Sequence, residues 1–417
     1  MLNSYICALD IGCSKISACI AEVSKRRIQK IFFASQPSKG LKKGLIADSI
    51  SLVNSVTRLL KELKKNSGIN IKFIYTNISG KDIVTKHARA IVPLAERGNK
   101  VITVSDIRKV NEQARILGSS LEEEIIHLVP LSYSIDSKCS LANPLGLYSH
   151  RLEVDLYLVC AKLNSIQSLS RLINQAGFEV KDLFFSGLAS ARAVFNEELK
   201  AGCYVFCDIG SDITEVLLFK DGCLKDIEII PLGGDMLTLE LQEALKLPFD
   251  LAEDIKRSYG FIGDHQHIGE DKEILIKKGA AYRPLKQKLV TEVLSSRARL
   301  FASSLKESLE KKVSSYEVNN FFVAGRSVLL EGFIEILENT LEIPVKLARV
   351  NNTAIPASLK EDRALSGQKY LTYLTVLGMV CEVLQDRTSN LIPFYHPPKN
   401  PLMRLFNQAK EVYQEYF

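Results

Sequence analysis

The chain has 417 residues, of which 46% are hydrophobic and 24% charged, and its formal net charge at pH 7 is +6. This length allows about two to four domains, and the composition is that of an ordinary soluble globular protein. The small net charge argues against a dedicated nucleic-acid-binding protein, in which Lys and Arg form a dense basic stripe. The cysteines lack zinc-type spacing and indicate a reduced, cytosolic protein. No apolar run approaches the roughly 20 residues of a membrane span, and we expect no signal peptide.

The first predicted element is a β-hairpin at the N-terminus. An apolar run, Tyr5–Leu9, leads to Asp10 and a turn at Gly12, and a second apolar run follows. Glycine lets a ligand approach the backbone, and successive N–H groups in such a turn form a nest for anions. An acid beside a phosphate is favourable only with a metal such as Mg²⁺ between them. The candidate nucleotide contacts of this turn are Asp10, Gly12, Ser14 and Lys15.

A strand, a helix and another strand follow the hairpin. We expect the strands at Arg27–Ser35 and Ile71–Ser79, and between them a helix that ends near Lys65. Asp48 or Ser49 is the expected N-cap, because a short polar side chain accepts a hydrogen bond from the first turn of a helix. The order β-β-β-α-β defines a first lobe.

The next segment, residues 81–160, interrupts this pattern. A helix begins at Val104, and strands are expected at Ile125–Ile135 and Leu152–Cys160. Taken alone, the segment is a generic α+β insertion. A helix and a strand then lead to Ser186, which opens the helix that connects to the second lobe.

The second lobe begins with a copy of the N-terminal pattern. Tyr204–Glu215 contains an apolar run, then Asp208, then a turn at Gly210. One such turn is weak evidence, since an acid and a glycine are common at hairpin tips. Two copies predict two related lobes with a nucleotide clamped between them, and Mg²⁺ held through water by Asp10 and Asp208 rather than by direct protein ligands.

Two later patterns follow. Gly233-Gly234 precedes a helix, where backbone N–H groups can meet a phosphate or a ribose; a simple tight turn is the alternative. Glu253 and Lys256 are three residues apart on one helix face, which is the pattern of a surface ion pair. A long amphipathic helix, Val290–Val313, comes next, and then a strand and a turn at Gly325.

The C-terminal segment has its own pattern. Residues 387–400 form a proline-containing linker, and residues 401–417 have the spacing of one amphipathic helix. Such a helix can lie in a membrane interface, or dock on its own protein or a partner. Its apolar face, the candidate membrane contact, consists of Leu402, Leu405, Phe406, Ala409, Val412, Tyr413 and Phe417.

Together these patterns resemble the actin/heat-shock-chaperone/sugar-kinase ATPase superfamily and, within it, the FtsA family of bacterial cell-division proteins. The resemblance is carried by the two hairpins, Gly233-Gly234, the segment Ala252–Gly260 and the C-terminal helix. It implies an α/β, actin-like two-lobe ATPase fold with ribonuclease H-like lobes and a 1C insertion. It also implies that Glu253, Lys256 and the turn at Gly325 contact the ribose and adenine of a nucleotide. The implied subdomains are 1A (1–80 and 161–200), 1C (81–160), 2A (201–245 and 314–386) and 2B (246–313), followed by the linker and the membrane helix.

The resemblance also implies a function. It predicts a peripheral protein at the cytoplasmic face of the cell membrane at the division site. Its expected ligands are ATP and Mg²⁺, and its expected partners are the FtsZ C-terminal tail, further copies of itself and membrane lipid, with no nucleic acid. A PilM-like scaffold of type IV pilus assembly is the alternative, and a metabolite kinase of the same fold is disfavoured.

Several residues depart from the superfamily pattern. Ser211 and Asp212 stand where the second turn normally has glycines, and Arg326 and Ser327 replace glycines after Gly325. Ser186 stands where several relatives have the glutamate that positions the attacking water. Because positioning the nucleophile is one of the few tasks of the protein in phosphoryl transfer, we expect ATP binding with weak or no hydrolysis.

Overall fold

The computed structural model describes residues 4–24, 27–95, 98–136, 139–195, 202–264, 272–278, 281–360 and 362–386. The predicted linker and C-terminal helix, including Leu402, Leu405, Phe406, Ala409, Val412, Tyr413 and Phe417, lie outside the described residues. The described chain divides into two compact units. The first contains the part up to residue 195 together with 222–227 and 350–386, and the second contains 202–221 and 228–349.

The strands have the following bounds: β1 (Ser4–Ile11), β2 (Lys15–Ser24), β3 (Arg27–Pro37), β4 (Leu41–Lys42), β5 (Leu45–Ile46), β6 (Phe73–Ile78), β7 (Ile83–Pro93), β8 (Lys100–Val101), β9 (Glu123–Ile135), β10 (Cys139–Leu141), β11 (Tyr148–Ser149), β12 (Arg151–Lys162), β13 (Glu179–Phe185), β14 (Cys203–Ile209), β15 (Thr214–Lys220), β16 (Cys223–Ile230), β17 (Glu273–Lys278), β18 (Ala281–Lys286), β19 (Val318–Ala324) and β20 (Val345–Leu347). The helices are α1 (Ser49–Ser67), α2 (Val104–Gly118), α3 (Leu163–Gln175), α4 (Ser186–Val194), α5 (Asp235–Leu245), α6 (Phe249–Tyr259), α7 (Gln287–Glu310), α8 (Phe333–Leu341), α9 (Ala357–Lys360) and α10 (Leu374–Asp386).

The first unit is built on a five-stranded sheet in the order β13-β6-β1-β2-β3. β1 and β2 form the predicted antiparallel hairpin, and β6 runs parallel to both β1 and β13. The predicted N-cap of α1 is confirmed, because the Asp48 side chain accepts a hydrogen bond from the Ser51 N–H at 3.1 Å. α1 ends at Gly68, whose φ of 71° lies in the left-handed region that favours glycine.

The insertion, residues 81–160, contains a four-stranded sheet in the order β10-β9-β12-β7. The edge strand β7 has no counterpart in the sequence prediction. α2 packs on this sheet and buries Val110 and Ala114 against Leu156 and Leu158. Gly118 is the last residue of α2, and a Cβ there would lie 2.4 Å from a methyl carbon of Leu158, so glycine allows close packing of the helix end on the sheet.

The second unit repeats the topology of the first. Its sheet has the order β16-β15-β14-β19-β20, in which β14 and β15 form an antiparallel hairpin and β19 runs parallel to β14 and β20. α5, α6, α7 and α8 contribute to its core, which contains Leu241, Ile255, Phe301 and Phe333. The two predicted lobes therefore have sheets of one design.

One predicted boundary is wrong. The sequence places residues 314–386 in the second lobe, but residues 350–386 pack with the first unit. The reason is the burial of α10, whose Thr375 hydroxyl lies 3.1 Å from that of Ser190 in α4. A Cβ on Gly378 would lie 1.6 Å from the Ala189 carbonyl oxygen, so glycine is required for this close approach of the two helices.

Candidate functional site

The turn between β1 and β2, residues 12–15, is closed by a backbone hydrogen bond. The Gly12 N–H donates to the Lys15 carbonyl oxygen at 3.0 Å. A Cβ on Gly12 would lie 2.9 Å from the same oxygen, so a side chain here would force the turn open. We call residues 12–15 the first turn.

Asp10 lies at the end of β1 beside the first turn and is buried, with a relative exposure of 6%. Its carboxylate accepts hydrogen bonds from Asn77 at 2.8 Å and from Ser17 at 3.3 Å, and the Lys15 ammonium lies 3.8 Å away. Burial raises the pKa of Asp10, and Lys15, Ser17 and Asn77 partly offset this by favouring the carboxylate. The arrangement orients a buried acid next to a cation.

Asn77 joins Asp10 to Ser186. Its amide nitrogen also donates to the Ser186 hydroxyl at 2.7 Å, and its amide oxygen accepts from the Ile11 N–H at 2.8 Å. Ser186, the residue in place of the water-positioning glutamate, is therefore held in the same buried polar network as Asp10. Its hydroxyl cannot take up a proton as a carboxylate can.

The turn between β14 and β15, residues 210–213, has the same backbone. The Gly210 N–H donates to the Ile213 carbonyl oxygen at 2.9 Å, and a Cβ on Gly210 would lie 2.9 Å from that oxygen. We call residues 210–213 the second turn. Position by position it places Asp212 where the first turn has Ser14, and Ile213 where the first has Lys15. Asp208, the counterpart of Asp10, is only partly buried.

Gly233 and Gly234 pack directly on the second turn. The Gly234 and Asp235 N–H groups donate to the carbonyl oxygens of Gly210 and Ser211, each at 2.8 Å. A Cβ on Gly233 would lie 2.5 Å from the Ser211 oxygen. Both glycines therefore serve close packing, and the Gly234 N–H, which we expected to face a ligand, is hydrogen-bonded within the fold.

Asp235 brings a second acid to this corner. Burial and the nearby Asp212 carboxylate raise its pKa to about 6, and Lys256 acts in the opposite direction. The Asp212 carboxylate is therefore close enough to Asp235 for the two negative charges to repel each other. Asp235 is not among the site residues predicted from the sequence. The one feature that marks it there is its position directly after the paired glycines.

Glu253 and Lys256 form an ion pair at 2.6 Å on α6. Lys256 is buried, and its ammonium also donates to the Thr238 hydroxyl at 2.7 Å and to the Gly234 carbonyl oxygen at 3.2 Å. Burial alone would raise the pKa of Glu253, but Lys256, Thr238 and Arg257 hold it below its usual value. The surface-pair alternative is thus wrong for Lys256, which links α6 to α5 beside Gly234.

Gly325 ends β19 with a φ of 96°, a conformation that favours glycine. A Cβ there would lie 2.0 Å from the Ile209 carbonyl oxygen at the entrance of the second turn. The following Arg326 is exposed. Partial desolvation and the charge of Arg257 lower its pKa, whereas Glu253 and Asp235 act to raise it. Arg326 therefore belongs to the charged surroundings of this corner.

The residues of each unit can be compared with the needs of a magnesium nucleotide. In the first unit, a buried carboxylate fixed by Asn77 can hold a metal-bound water, and the adjacent Lys15 ammonium suits a phosphate. In the second unit, the Lys256 ammonium is taken up by Glu253, Thr238 and the Gly234 carbonyl, and Asp212 and Asp235 oppose a phosphate. No cluster of three or more His, Cys, Asp or Glu side chains fit to hold a metal occurs within the described ranges.

Among the residues that the structure describes, no helix is both long and apolar enough to cross a membrane. The predicted C-terminal helix, residues 401–417, lies outside the described residues.

The chain matches two family models. The model described as cell division protein FtsA matches residues 205–374, and that of the SHS2 domain inserted in FtsA matches residues 80–160. A cell division protein FtsA from Pseudomonas aeruginosa is 28% identical over 363 residues, which cover 86% of this chain and 84% of that relative. The FtsA of Borreliella burgdorferi is 26% identical, with 83% of this chain and 85% of the relative covered.

Solved structures share the fold. A PilM–PilN type IV pilus biogenesis complex aligns with a TM-score of 0.62 at 17% identity, over 90% of this chain and 98% of the other. MreB5 of Spiroplasma citri, determined bound to ADP, aligns with a TM-score of 0.53 at 11% identity, over 90% and 95% of the two chains. These likenesses confirm the predicted α/β, actin-like ATPase fold, and the second family model confirms its FtsA-type insertion. From both family models and the relatives along most of its length, the chain belongs to the FtsA family of cell division proteins.

Proposed function

We propose that the chain binds ATP with Mg²⁺ and acts as a membrane adaptor that tethers FtsZ filaments and helps to assemble the division ring. Membership of the FtsA family supports the role in division. The nucleotide part of the proposal assigns phosphate contacts to Gly12, Ser14 and Lys15, and water-mediated metal contacts to Asp10 and Asp208. Contacts with the rest of the nucleotide are assigned to Gly210, Gly233, Gly234, Glu253, Lys256 and Gly325.

The observation that carries the nucleotide proposal is the network around Asp10. A buried carboxylate is costly unless it is paired and hydrogen-bonded, and here Asn77, Ser17 and Lys15 all serve that purpose. A plain hairpin tip has no need of such a network. Magnesium supplies charge neutralisation of the phosphates when bound, while the chain itself orients the carboxylate and presents the ammonium.

The same network supports weak or absent hydrolysis. Ser186 stands where a general base or water-positioning carboxylate is needed, and its hydroxyl lies 2.7 Å from the Asn77 amide. A neutral hydroxyl held by an amide orients an attacking water poorly. ATP on this protein is then a ligand that selects a conformation, more than a substrate.

Equilibrium titration with a fluorescent ATP analogue and Mg²⁺ tests nucleotide binding. We expect saturable binding by the full chain and a loss of about tenfold or more in affinity for Asp10→Asn, because the variant keeps the size of the side chain but loses its charge. Asp155→Asn, which changes a partly buried carboxylate that is ion-paired with Arg89 in the insertion, is the matched control and leaves affinity unchanged. No binding at high micromolar concentrations contradicts the nucleotide proposal.

The adaptor proposal adds three partners: the FtsZ C-terminal tail on the 2B part of the second unit, other copies of the chain in filaments, and lipid at residues 401–417. The protein then lies at the cytoplasmic face of the membrane at the division site. The subdomain bounds of this proposal are those of the sequence analysis, with residues 350–386 moved to the first unit.

Co-sedimentation with liposomes tests the membrane anchor. We expect the full chain, but not a chain ending at Pro398, to pellet with vesicles, because several large apolar side chains buried at about 1.5–3 kcal/mol each suffice for reversible binding. The FtsZ tail peptide is then titrated against both chains, which should bind it alike. If neither chain pellets and neither binds the tail, the adaptor proposal fails and a pilus-type scaffold becomes the working hypothesis.

A further inference from the structure

One face of β2 contacts the segment that opens α10. Alternate residues of a strand point to the same side of a sheet, and Lys15, Ser17 and Cys19 are such residues. The Lys15 ammonium donates to the Thr372 carbonyl oxygen, and the Ser17 hydroxyl lies 3.0 Å from the same oxygen. The Cys19 thiol lies 3.8 Å from the Val376 carbonyl oxygen, one helical turn further on.

The same segment is held by β3. The ring of Tyr373 packs against Phe33 with centroids 4.7 Å apart, and its hydroxyl lies 3.1 Å from that of Ser35. Phe33 and Ser35 are the register partners of Cys19 and Ser17. The contacts of residues 372–376 therefore follow two neighbouring strands and are a defined docking geometry.

The first turn and this segment meet at Lys15. A lysine ammonium on its four-carbon stem is flexible, and ordering it for a phosphate has an entropic cost. Here Asp10 on one side and the Thr372 carbonyl on the other fix the ammonium beside Gly12. The Ser17 hydroxyl lies within reach of both acceptors, at 3.3 Å from Asp10 and 3.0 Å from the Thr372 oxygen, and donates its one proton to either of them.

We propose that residues 369–376 are a positioning element for nucleotide binding: the Thr372 carbonyl holds the Lys15 ammonium in place for a phosphate. This inference rests on the proposed ATP binding. Because coupling free energies are reciprocal, a nucleotide that uses Lys15 also stabilises the docking of this segment.

A double-mutant cycle tests the coupling. Tyr373→Ala removes the packing on Phe33 without touching Lys15, and we expect it to raise the Kd for the fluorescent ATP analogue about 3- to 10-fold. Tyr373→Phe, which loses only the hydroxyl contact with Ser35, changes the Kd less than about twofold. In a Lys15→Met background, Tyr373→Ala has no further effect. Tyr5→Ala, an exposed tyrosine on β1, is the control and leaves the Kd unchanged.

Hydrogen exchange of the full chain gives the reciprocal readout. With Mg²⁺ and the ATP analogue, the amides of residues 373–377 exchange more slowly in the wild type but not in Lys15→Met. If Tyr373→Ala does not fold by circular dichroism, Ser17→Ala replaces it in the cycle, because it removes both the Asp10 and the Thr372 contacts with little change in volume.

The outcomes separate this inference from the proposed function. A wild type that binds no nucleotide overturns both. If the wild type binds nucleotide but Tyr373→Ala binds with the wild-type Kd, the positioning role alone is overturned. The same holds if Tyr373→Ala raises the Kd by the same factor in the wild-type and Lys15→Met backgrounds. Unchanged or faster exchange at residues 373–377 in the nucleotide complex does the same.

Discussion

The first and second turns have one backbone and two chemistries. Each is closed by a glycine N–H that donates to the carbonyl oxygen three residues on, at 3.0 and 2.9 Å. A Cβ on either glycine would lie 2.9 Å from that oxygen. The first presents Ser14 and Lys15, whereas the second presents Asp212 and Ile213. The comparison shows that glycine and strand pairing set the shape of such a turn, while the side chains at its last two positions set its charge.

The surroundings of the two turns enlarge this difference. Asp10 faces Ser17 across its hairpin, whereas Asp208 faces the buried Glu215. The second turn also has Asp235 beside Asp212. The first turn is thus suited to anions, and the second binds a phosphate only when its negative charge is offset. Four sets of substitutions test this difference between the two units.

The largest effect is expected where β19 and β6 end. Gly325 and Gly80 both follow their strands with a positive φ, of 96° and 99°. A Cβ on Gly325 lies 2.0 Å from a backbone oxygen, whereas a Cβ on Gly80 lies 3.1 Å from one. We expect Gly325→Ala to lower the free energy of unfolding by about 3 kcal/mol or more, and Gly80→Ala by about 1–2 kcal/mol of backbone strain. Urea unfolding of both variants measures the difference; equal losses would show that the two strand ends are equivalent.

The second change exchanges the charges of the turns. Lys15→Ile gives the first turn the side chain of the second, and we expect nucleotide affinity to fall roughly 10- to 100-fold, because a charge-assisted contact is lost. Ile213→Lys is the reciprocal variant and raises affinity by up to about tenfold. Titration with the ATP analogue at low and high salt measures both. An Ile213→Lys variant that binds as the wild type does would show that the second turn has no phosphate contact.

The third change removes an acid from the second turn. Asp212→Ser restores the residue type of the first turn at this position and removes repulsion of a phosphate. We expect affinity to rise about 3- to 10-fold, with most of the gain lost in high salt because screening weakens the repulsion it relieves. Ser14→Asp is the matched variant of the first turn and lowers affinity. Equal binding by Asp212→Ser and the wild type would contradict an electrostatic role of this acid.

The smallest effect concerns stability and pH. The pKa of Asp235 is raised in the folded protein to about 6 from an unfolded value near 4, so the native state binds more protons between these values. Its contribution to stability is therefore greatest below about pH 4 and is lost as the pH rises through about 6. A shift of about two pKa units corresponds to about 3 kcal/mol, and because Asp235 is only partly buried, solvent screening leaves roughly 1 kcal/mol of this. In Asp235→Asn this part of the pH dependence disappears in urea unfolding from pH 4 to 7. Asp250→Asn, in the first turn of α6, is the control and retains it.

The alternation of apolar residues and the turn residues were sufficient to predict both hairpins, the cap of α1 and the helices around the site. These signals are local, since a strand period or a glycine turn depends on neighbours in sequence. They also placed Asp10, Lys15, Asp208 and Gly325 at the ends of strands. The same reasoning missed β7, because its polar and apolar residues do not alternate cleanly: Lys86 stands on the same face as the buried Ala88 and Ala90, where it is ion-paired with Glu123.

The repeated hairpins and their different side chains are properties of the amino-acid sequence. The distant groups that complete each turn follow from the folded arrangement: Asn77 and Ser186 at Asp10, Thr372 at Lys15, and Asp235 at Asp212. These partners belong to other strands and helices. They meet because β6 lies next to β1, α10 lies on β2, and α5 begins against the second turn. Their contacts depend on burial and close packing of whole elements, which no short stretch of sequence contains.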